Sequence, residues 1–395
     1  MDYSTLSDVM PAPAGREEAG AAQVGTLGNT GKSASPLGNT TKLRSVSDEE
    51  LAVRRISRYM LQNLISEILP GERVANCLRL VVPGRSGVKI LYSDQVHRAH
   101  YGGLTVCGSV WSCPICAAKI TERRRLEVRP ALERWEGGLI MAAYTLQHDR
   151  SNSLDQVKNA LYSNYRTLMS GWAWQELKER WGIEGVISSS EVTWGAVYGW
   201  HPHKHALLFT KSKLSPGEIK NAETEISERF RSLLSRSGNY GHPQYSVQFR
   251  TGNVFEEGDY VFKWGVDYEL TKSPVKKARS GNFSPFELAS WAMAEGEAEP
   301  VALFREYFRS YKGSHQLQYS VGLRKKLGLD QEKSDLELAL EEDQKAIELA
   351  ELSRSVWSVI CKRKLRGELI EVASSGSFEM VNEFLKGLGF ALEGF

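Results

Sequence analysis

Apolar residues return at helical spacing soon after the start of the chain. Leu51, Ile56, Met60, Leu64 and Ile68 fall on one helical face, and Ser47-Asp-Glu-Glu50 just before them has capping-box spacing. Pro70-Gly71 should end that helix. Short β-type runs (LRLVV, VKILY) then occupy residues 72–116, followed by a basic helical stretch, AAKITERRRLEVRPALERW. LIMAAYTL (139–146) reads as a buried strand, and Leu154, Val157, Leu161, Tyr165, Leu168 and Trp172 as one long amphipathic helix. VISSSEVTWG and HPHKHALLF, joined through AVYGW, predict a β-hairpin. A helix over roughly 215–235, a strand at YSVQFRTG and a helical patch over 256–264 follow. This order of strand, helix, hairpin, helix, strand and helix implies an α+β fold with a mostly antiparallel sheet. From about 330, LELALEEDQKAIELAELSRSVWSVI has a helical pattern.

Residues 1–45 show no period. They are rich in Gly, Ser, Thr, Ala and Pro and carry LGNT twice, which predicts a disordered tail. Across all 395 residues, 41% are hydrophobic and 25% charged, ordinary values for a globular protein. No apolar run approaches the ~18–20 residues of a membrane helix, and the N-terminus shows no secretory signal. A cytoplasmic protein is expected. The net charge of +2 hides an asymmetry, because residues 330–395 carry eight Lys/Arg against fourteen Asp/Glu. The middle of the chain is correspondingly basic, which is compatible with a polyanionic partner.

Of the five cysteines, Cys107, Cys113 and Cys116 lie within ten residues, Cys77 sits thirty upstream and Cys361 stands alone. An odd count without a signal peptide argues for a reducing compartment and against a disulfide framework. Thiolates at C-x-x-C spacing can occupy two corners of a zinc tetrahedron. Cys107 adds a third, and His97 and His100 compete with Cys77 for the fourth. An all-thiolate structural Zn²⁺ site favours Cys77, and would staple a segment too small to build its own core.

The second constellation is Trp200-His201-Pro202-His203-Lys204-His205. On a strand, His203 and His205 share a face and Ala206 and Leu208 take the other. Two imidazoles so placed can chelate one divalent ion, and Glu191 on the preceding strand is the nearest carboxylate able to join them. The third is Glu256-Glu-Gly-Asp-Tyr260-Val-Phe-Lys263-Trp264, where a helix would set Glu256 and Lys263 on the face of Tyr260. An ammonium that favours phenolate makes a tyrosine a better nucleophile, and Glu256 can serve as a base. A Y-x-x-K pattern by itself is common, and gains meaning only from the motifs around it.

Taken together, the strand LIMAAYTL, the H-x-H strand and the following Y-x-x-K resemble the HUH endonucleases, and within them the plasmid rolling-circle replication initiator (Rep) proteins. CGSVWSCPICAAKI (107–120), YVFKWGVDYELTK (260–272) and ALFREYFRSYKGSHQLQYSVGLRKKLG (302–328) carry the same resemblance, over roughly residues 72–328. The resemblance implies an HUH-type antiparallel sheet with flanking helices, preceded by a zinc-binding segment and followed by a helical tail. The expected organisation is a disordered tail (1–45), an amphipathic helix (46–70), a zinc-stapled module (71–135), an HUH nicking-joining domain (136–329) and an acidic helical C-terminal region (330–395).

The resemblance also implies an activity. His203 and His205 would help bind catalytic Mg²⁺ or Mn²⁺, Tyr260 would attack the scissile phosphate and hold the 5′ end as a phosphotyrosine, and the freed 3′-OH would prime replication. Lys263 would assist by neutralising charge, and Glu256 would activate the nucleophile of the closing step. Tyr268 is a second hydroxyl, and His201, where the strand begins, has no assigned role. Trp194, Trp200 and Trp264 are stacking candidates that an ordinary core would equally use. Expected partners are plasmid origin DNA, single-stranded or in a hairpin at the nick site, with host helicase and DNA polymerase, and no membrane. Competing readings are a mobilisation relaxase or single-strand transposase with the same chemistry, and a non-catalytic zinc-containing DNA-binding regulator.

Overall fold

β-Branched and aromatic residues from Ile183 to Gly195 (β4) and from Gly199 to Thr210 (β5) pair antiparallel along their whole length, as the predicted hairpin requires. This is a computed structural model, and it describes residues 48–250, 282–295, 298–341 and 345–392. On the other side of β5 lies Gly138–Tyr144 (β3), which in turn pairs with Val247–Arg250 (β6) at the edge. The outer edge of β4 takes Asn282–Phe283 (β7) at one end and Leu317–Tyr319 (β8) in the middle. In this antiparallel sheet β5 is central, and its side chains alternate between two covered faces.

One face is built by Ile140, Ala142, Tyr144, Ala206 and Leu208. It packs under the helices Leu154–Leu168 (α3), Gly171–Arg180 (α4) and Pro216–Arg236 (α5). The pattern at 154–172 predicts one helix, but the chain turns at Gly171 (φ +76°) and begins α4, leaving Trp172 75% exposed. Glycine alone adopts that φ without strain, which is why the break falls there. On the opposite face Met141, Ile187, Leu207 and Phe209 meet Val128, Ala131 and Leu132 of the basic helix Pro114–Arg134 (α2), together with Leu317, Leu323 and Leu327. His205, His203 and His201 continue this second face along β5.

The first helix, Asp48–Ile68 (α1), precedes a 3₁₀ turn at Arg73–Asn76 and two short strands, Gly87–Ser93 (β1) and Arg98–Gly102 (β2). Beyond the sheet come Pro285–Glu295 (α6), Ala298–Tyr311 (α7), Leu323–Lys326 (α8) and Asp335–Leu340 (α9). The C-terminal region is largely helical, with Arg354–Lys362 (α10), Arg366–Ala373 (α11) and Phe378–Lys386 (α12).

It departs from the helical pattern at Ile347–Ser353 (β9), which pairs with β1 to give a second antiparallel sheet in the order β2-β1-β9. Leu349, Ala350 and Leu352 are buried there, while Glu348 accepts from Lys89 at 2.6 Å and Glu351 from Ser86 at 2.6 Å. A waiting strand edge with matched charges overrides a modest helical preference. Among the described residues, no helix is long and apolar enough to cross a membrane.

Candidate functional site

Two constellations stand out. The first is built where Cys113 caps the N-terminus of α2, with Pro114 at the first helical position. Helix geometry then places Cys116 one turn on, its backbone N–H donating to Cys113 Sγ at 3.4 Å. Cys107 arrives from the preceding loop and Cys77 from the end of the 3₁₀ turn. The Sγ atoms of Cys77 and Cys107 each lie 3.6 Å from that of Cys116, and Cys113 Sγ lies 3.8 Å from Cys77 Sγ. A tetrahedron with Zn–S bonds of about 2.3 Å has edges of about 3.8 Å. The four buried thiols therefore fit a structural ion such as zinc.

Cys77, and neither histidine, completes the cluster. His97 is largely exposed, with its Nδ1 3.2 Å from Tyr92 Oη, and His100 lies on β2. Further N–H groups serve the sulfurs: Cys107 N on Cys77 (3.4 Å), Ser109 N on Cys107 (3.4 Å) and Gln62 Nε2 on Cys113 (3.3 Å). Burial opposes ionisation of Cys113, but hydrogen bonds from Cys107, Cys116 and Cys77 carry its thiol well below the ordinary value. Cys77 and Cys107 move up, first through thiol–thiol hydrogen bonds and then through burial.

The second constellation lies on the sheet. Glu191 is directly opposite His203, Ser189 opposite His205 and Thr193 opposite His201; Ala143 flanks His205 from β3. His205 Nε2 is 3.1 Å from Glu191 Oε2, with both side chains less than one-fifth exposed. The rings of His203 and His205 stack at 5.9 Å, and those of His201 and His203 meet edge-on at 4.2 Å. Ser189 Oγ is buried with no hydrogen-bond partner among the described residues. Desolvation holds His203 well below the usual imidazole pKa, with His201 and His205 adding to it. Burial takes His201 down to about 4, with His148 contributing. Neutral imidazoles at pH 7 are in the form that binds metal.

Sequence reasoning overlooked His148. It follows β3, places Nδ1 3.1 Å from the carbonyl oxygen of Tyr198, and brings Nε2 against His201 Nδ1. A lone histidine after a strand carries no motif, so only the folded chain reveals it. Trp194 and Trp200 are core residues, 4% and 3% exposed. Trp200 also donates to Glu306 at 2.8 Å. On the reverse face of β5, Lys204 is buried against the rings of Tyr162 and Tyr165 and donates to Ser190 at 3.1 Å. Tyr260, Lys263, Glu256, Trp264 and Tyr268, like the tail 1–45, lie outside the described residues.

Comparison with known proteins gives two relatives. The chain is similar to a protein named Rep from Streptomyces lividans, 26% identical over an alignment of 344 residues that covers 69% of this chain and 75% of that one. A shorter stretch is similar to a neomycin resistance protein of Streptomyces cyanogenus, 29% identical over 133 residues and covering 30% of that protein. No protein-family model matches the chain. No solved structure matches it either.

Proposed function

We propose that this chain, a relative of a Rep protein, is a plasmid rolling-circle replication initiator: a metal-dependent enzyme that binds the double-strand origin, nicks one strand and later rejoins it. The observation that supports this most strongly is the arrangement on β4 and β5. Two imidazoles of the central strand β5 lie beside a carboxylate of the neighbouring β4, in a chain whose relative is named Rep.

His203, His205 and Glu191 offer two nitrogens and one oxygen, a mixed donor set that would hold Mn²⁺, and Mg²⁺ more weakly, with positions left for water or phosphate oxygens. Bound there, the ion would supply Lewis-acid stabilisation of charge on the non-bridging phosphate oxygens. The Glu191 carboxylate orients His205 through the 3.1 Å contact, and buried Ser189 Oγ adds a polar group beside it.

In the proposed reaction Tyr260 Oη attacks phosphorus, a Tyr–O–P bond forms and the P–O3′ bond breaks. The 3′ oxygen leaves as the hydroxyl that primes synthesis. Lys263 offsets charge at the phosphate, and Glu256 takes a proton from the nucleophile of the closing step. Because the phosphotyrosine is isoenergetic in kind with the bond it replaces, rejoining needs no nucleotide cofactor. These three roles rest on the resemblance to the Rep proteins. Phosphate contacts from the basic middle of the chain would supply affinity, in the cytoplasm where a plasmid resides.

The test uses a labelled single-stranded oligonucleotide spanning the cognate origin, incubated with Mg²⁺ or Mn²⁺ and run on a denaturing gel. A covalent protein–DNA species that disappears with EDTA and with Tyr260→Phe is the expected result. Cleavage without an adduct would replace transfer by hydrolysis, and binding without cleavage would favour a regulator.

A further inference from the structure

Four arginines gather where the first helix meets the small sheet. Arg54, Arg55 and Arg58 lie on α1, and Arg98 opens β2. The i, i+4 spacing makes Arg54 and Arg58 neighbours along the helix. The end of α11 fixes how the two elements meet. Arg55 makes a two-pronged ion pair with Glu371, its Nε and Nη2 each 2.5 Å from a carboxylate oxygen. One turn further on, Ser374 Oγ accepts from the backbone N–H of Ala99, next to Arg98, at 3.1 Å. Tyr59, the residue after Arg58, meets the ring of Tyr101 on β2 edge-on at 6.3 Å. Gly367 of α11 packs so closely that a Cβ there would lie 3.1 Å from Ile56 Cα of α1.

Charge in this frame is unevenly matched. Arg55 has its carboxylate, but Arg58 and Arg98 are exposed, and neither makes an ion pair or side-chain hydrogen bond among the described residues. Asp94, at the tip of the same hairpin, faces His97 at 4.0 Å. Partial burial comes first in lowering the Arg58 pKa, followed by the positive charges of Arg98, Arg54 and Arg55 in that order. Like charges held together by a folded frame repel until an anion comes between them. A guanidinium with its donors unclaimed matches phosphate oxygens. Carried on a helix and a hairpin at the surface, two of them fit a repeating polyanion better than one enclosed anion. The hairpin tip exposes one large apolar side chain, Val96, which falls short of the apolar face that a membrane surface requires.

We propose, on the reading of the chain as an origin-binding initiator, that Arg58 and Arg98, flanked by Arg54 and Arg55, form a docking surface for the phosphate backbone of duplex DNA. It belongs to α1 and the β2-β1-β9 sheet, not to the sheet that carries the imidazoles. Duplex is held here, and cutting belongs to the β4–β5 face.

The test is fluorescence anisotropy of the full chain with a labelled duplex of the cognate origin, without divalent ions, between about 50 and 200 mM salt. The double variant Arg58→Gln/Arg98→Gln should bind at least tenfold more weakly at the low-salt end. Its slope of log affinity against log salt should be shallower by roughly 1.8, the value for two lost phosphate contacts. Its melting temperature should equal or exceed that of wild type, because the substitutions relieve repulsion. Lys220→Gln/Arg236→Gln, which removes the same charge from α5, should leave the slope in place. An unchanged slope in the α1–β2 variant would overturn the surface. So would an equal loss in the α5 variant, which would mean that net charge alone is felt. Wild-type binding to anionic lipid vesicles and not to duplex would overturn the choice of DNA. Cutting of a single-stranded origin oligonucleotide with Mn²⁺ should persist in Arg58→Gln/Arg98→Gln. Failure of wild type to cut that strand would count against the proposed catalytic function and not against this surface.

Discussion

The guanidinium of Arg366 donates to the carbonyl oxygen of Cys77 at 3.3 Å, from 289 residues further along the chain. It also donates to Leu78 O at 2.8 Å and to Asn63 Oδ1 at 2.6 Å, and its side chain is fully buried. An ion held by four thiolates leaves two negative charges in excess, so a buried cation beside the Cys77 loop lowers the cost of the site. Replacement by Met keeps volume but strands three acceptors, and should cost roughly 2–4 kcal/mol. Arg366→Met should melt earlier and release zinc to a coloured chelator at least tenfold faster. Wild-type release from a folded variant would show that the guanidinium serves packing alone.

Zinc loading should be proton-coupled. Cys77 and Cys107 are pushed up by the thiol–thiol hydrogen bonds and burial described above, so they are protonated without metal at neutral pH. The ion competes with those protons, and apparent affinity therefore rises with pH and falls as acid is added. Calorimetry in buffers of different ionisation enthalpy should report roughly two or three protons released per ion. Proton release near zero would mean the cluster is already ionised.

The parts that were legible in the sequence are those written in local patterns. Alternation along Trp200–Leu208 separates the imidazole face from the Ala206–Leu208 face, and Cys113-x-x-Cys116 implies its own geometry at a helix start. Cys77 was readable because a tetrahedron needs a fourth corner. His148, Arg366 and β9 were not readable, for one reason: each gains its meaning from a partner far away in sequence. His148 meets a residue 53 positions on. Arg366 reaches back 303 positions to Asn63. β9 is a helical-looking stretch until β1 offers it an edge. The turn at Gly171 lay between, since the glycine was visible but the apolar spacing ran through it.

Glu191 is where the candidate catalytic site is best probed without disturbing the sheet. Glu191→Gln preserves shape and the strand pairing with His203, but replaces the carboxylate that meets His205. Mn²⁺ affinity, read from the loss of its free-ion EPR signal, should fall roughly ten- to hundredfold with an unchanged melting temperature in the absence of metal. Unchanged Mn²⁺ affinity would remove Glu191 from the ligand set and leave the two histidines to seek another third donor.

Lys204 shows what the strand tolerates on its reverse face. Burial, with Lys158 adding repulsion, lowers its pKa to about 8, and the ammonium lies 4.9 Å from the ring centre of Tyr162. A folded pKa below the unfolded value of ~10.4 means that the charged lysine opposes folding. That penalty is fully present below pH 8, where both states are protonated. It fades as pH rises from 8 towards 10, because the folded state then gives up its proton more readily than the unfolded one. The full shift corresponds to roughly 3 kcal/mol, partly offset by the aromatic contacts and the Ser190 hydrogen bond. Lys204→Met should therefore be more stable than wild type at pH 7, by about 1–2 kcal/mol, and the gap should narrow by pH 9.5. Urea midpoints of the two proteins across that range measure it. A gap that widens with pH would mean that Lys204 is held charged by a partner, and that its burial is stabilising.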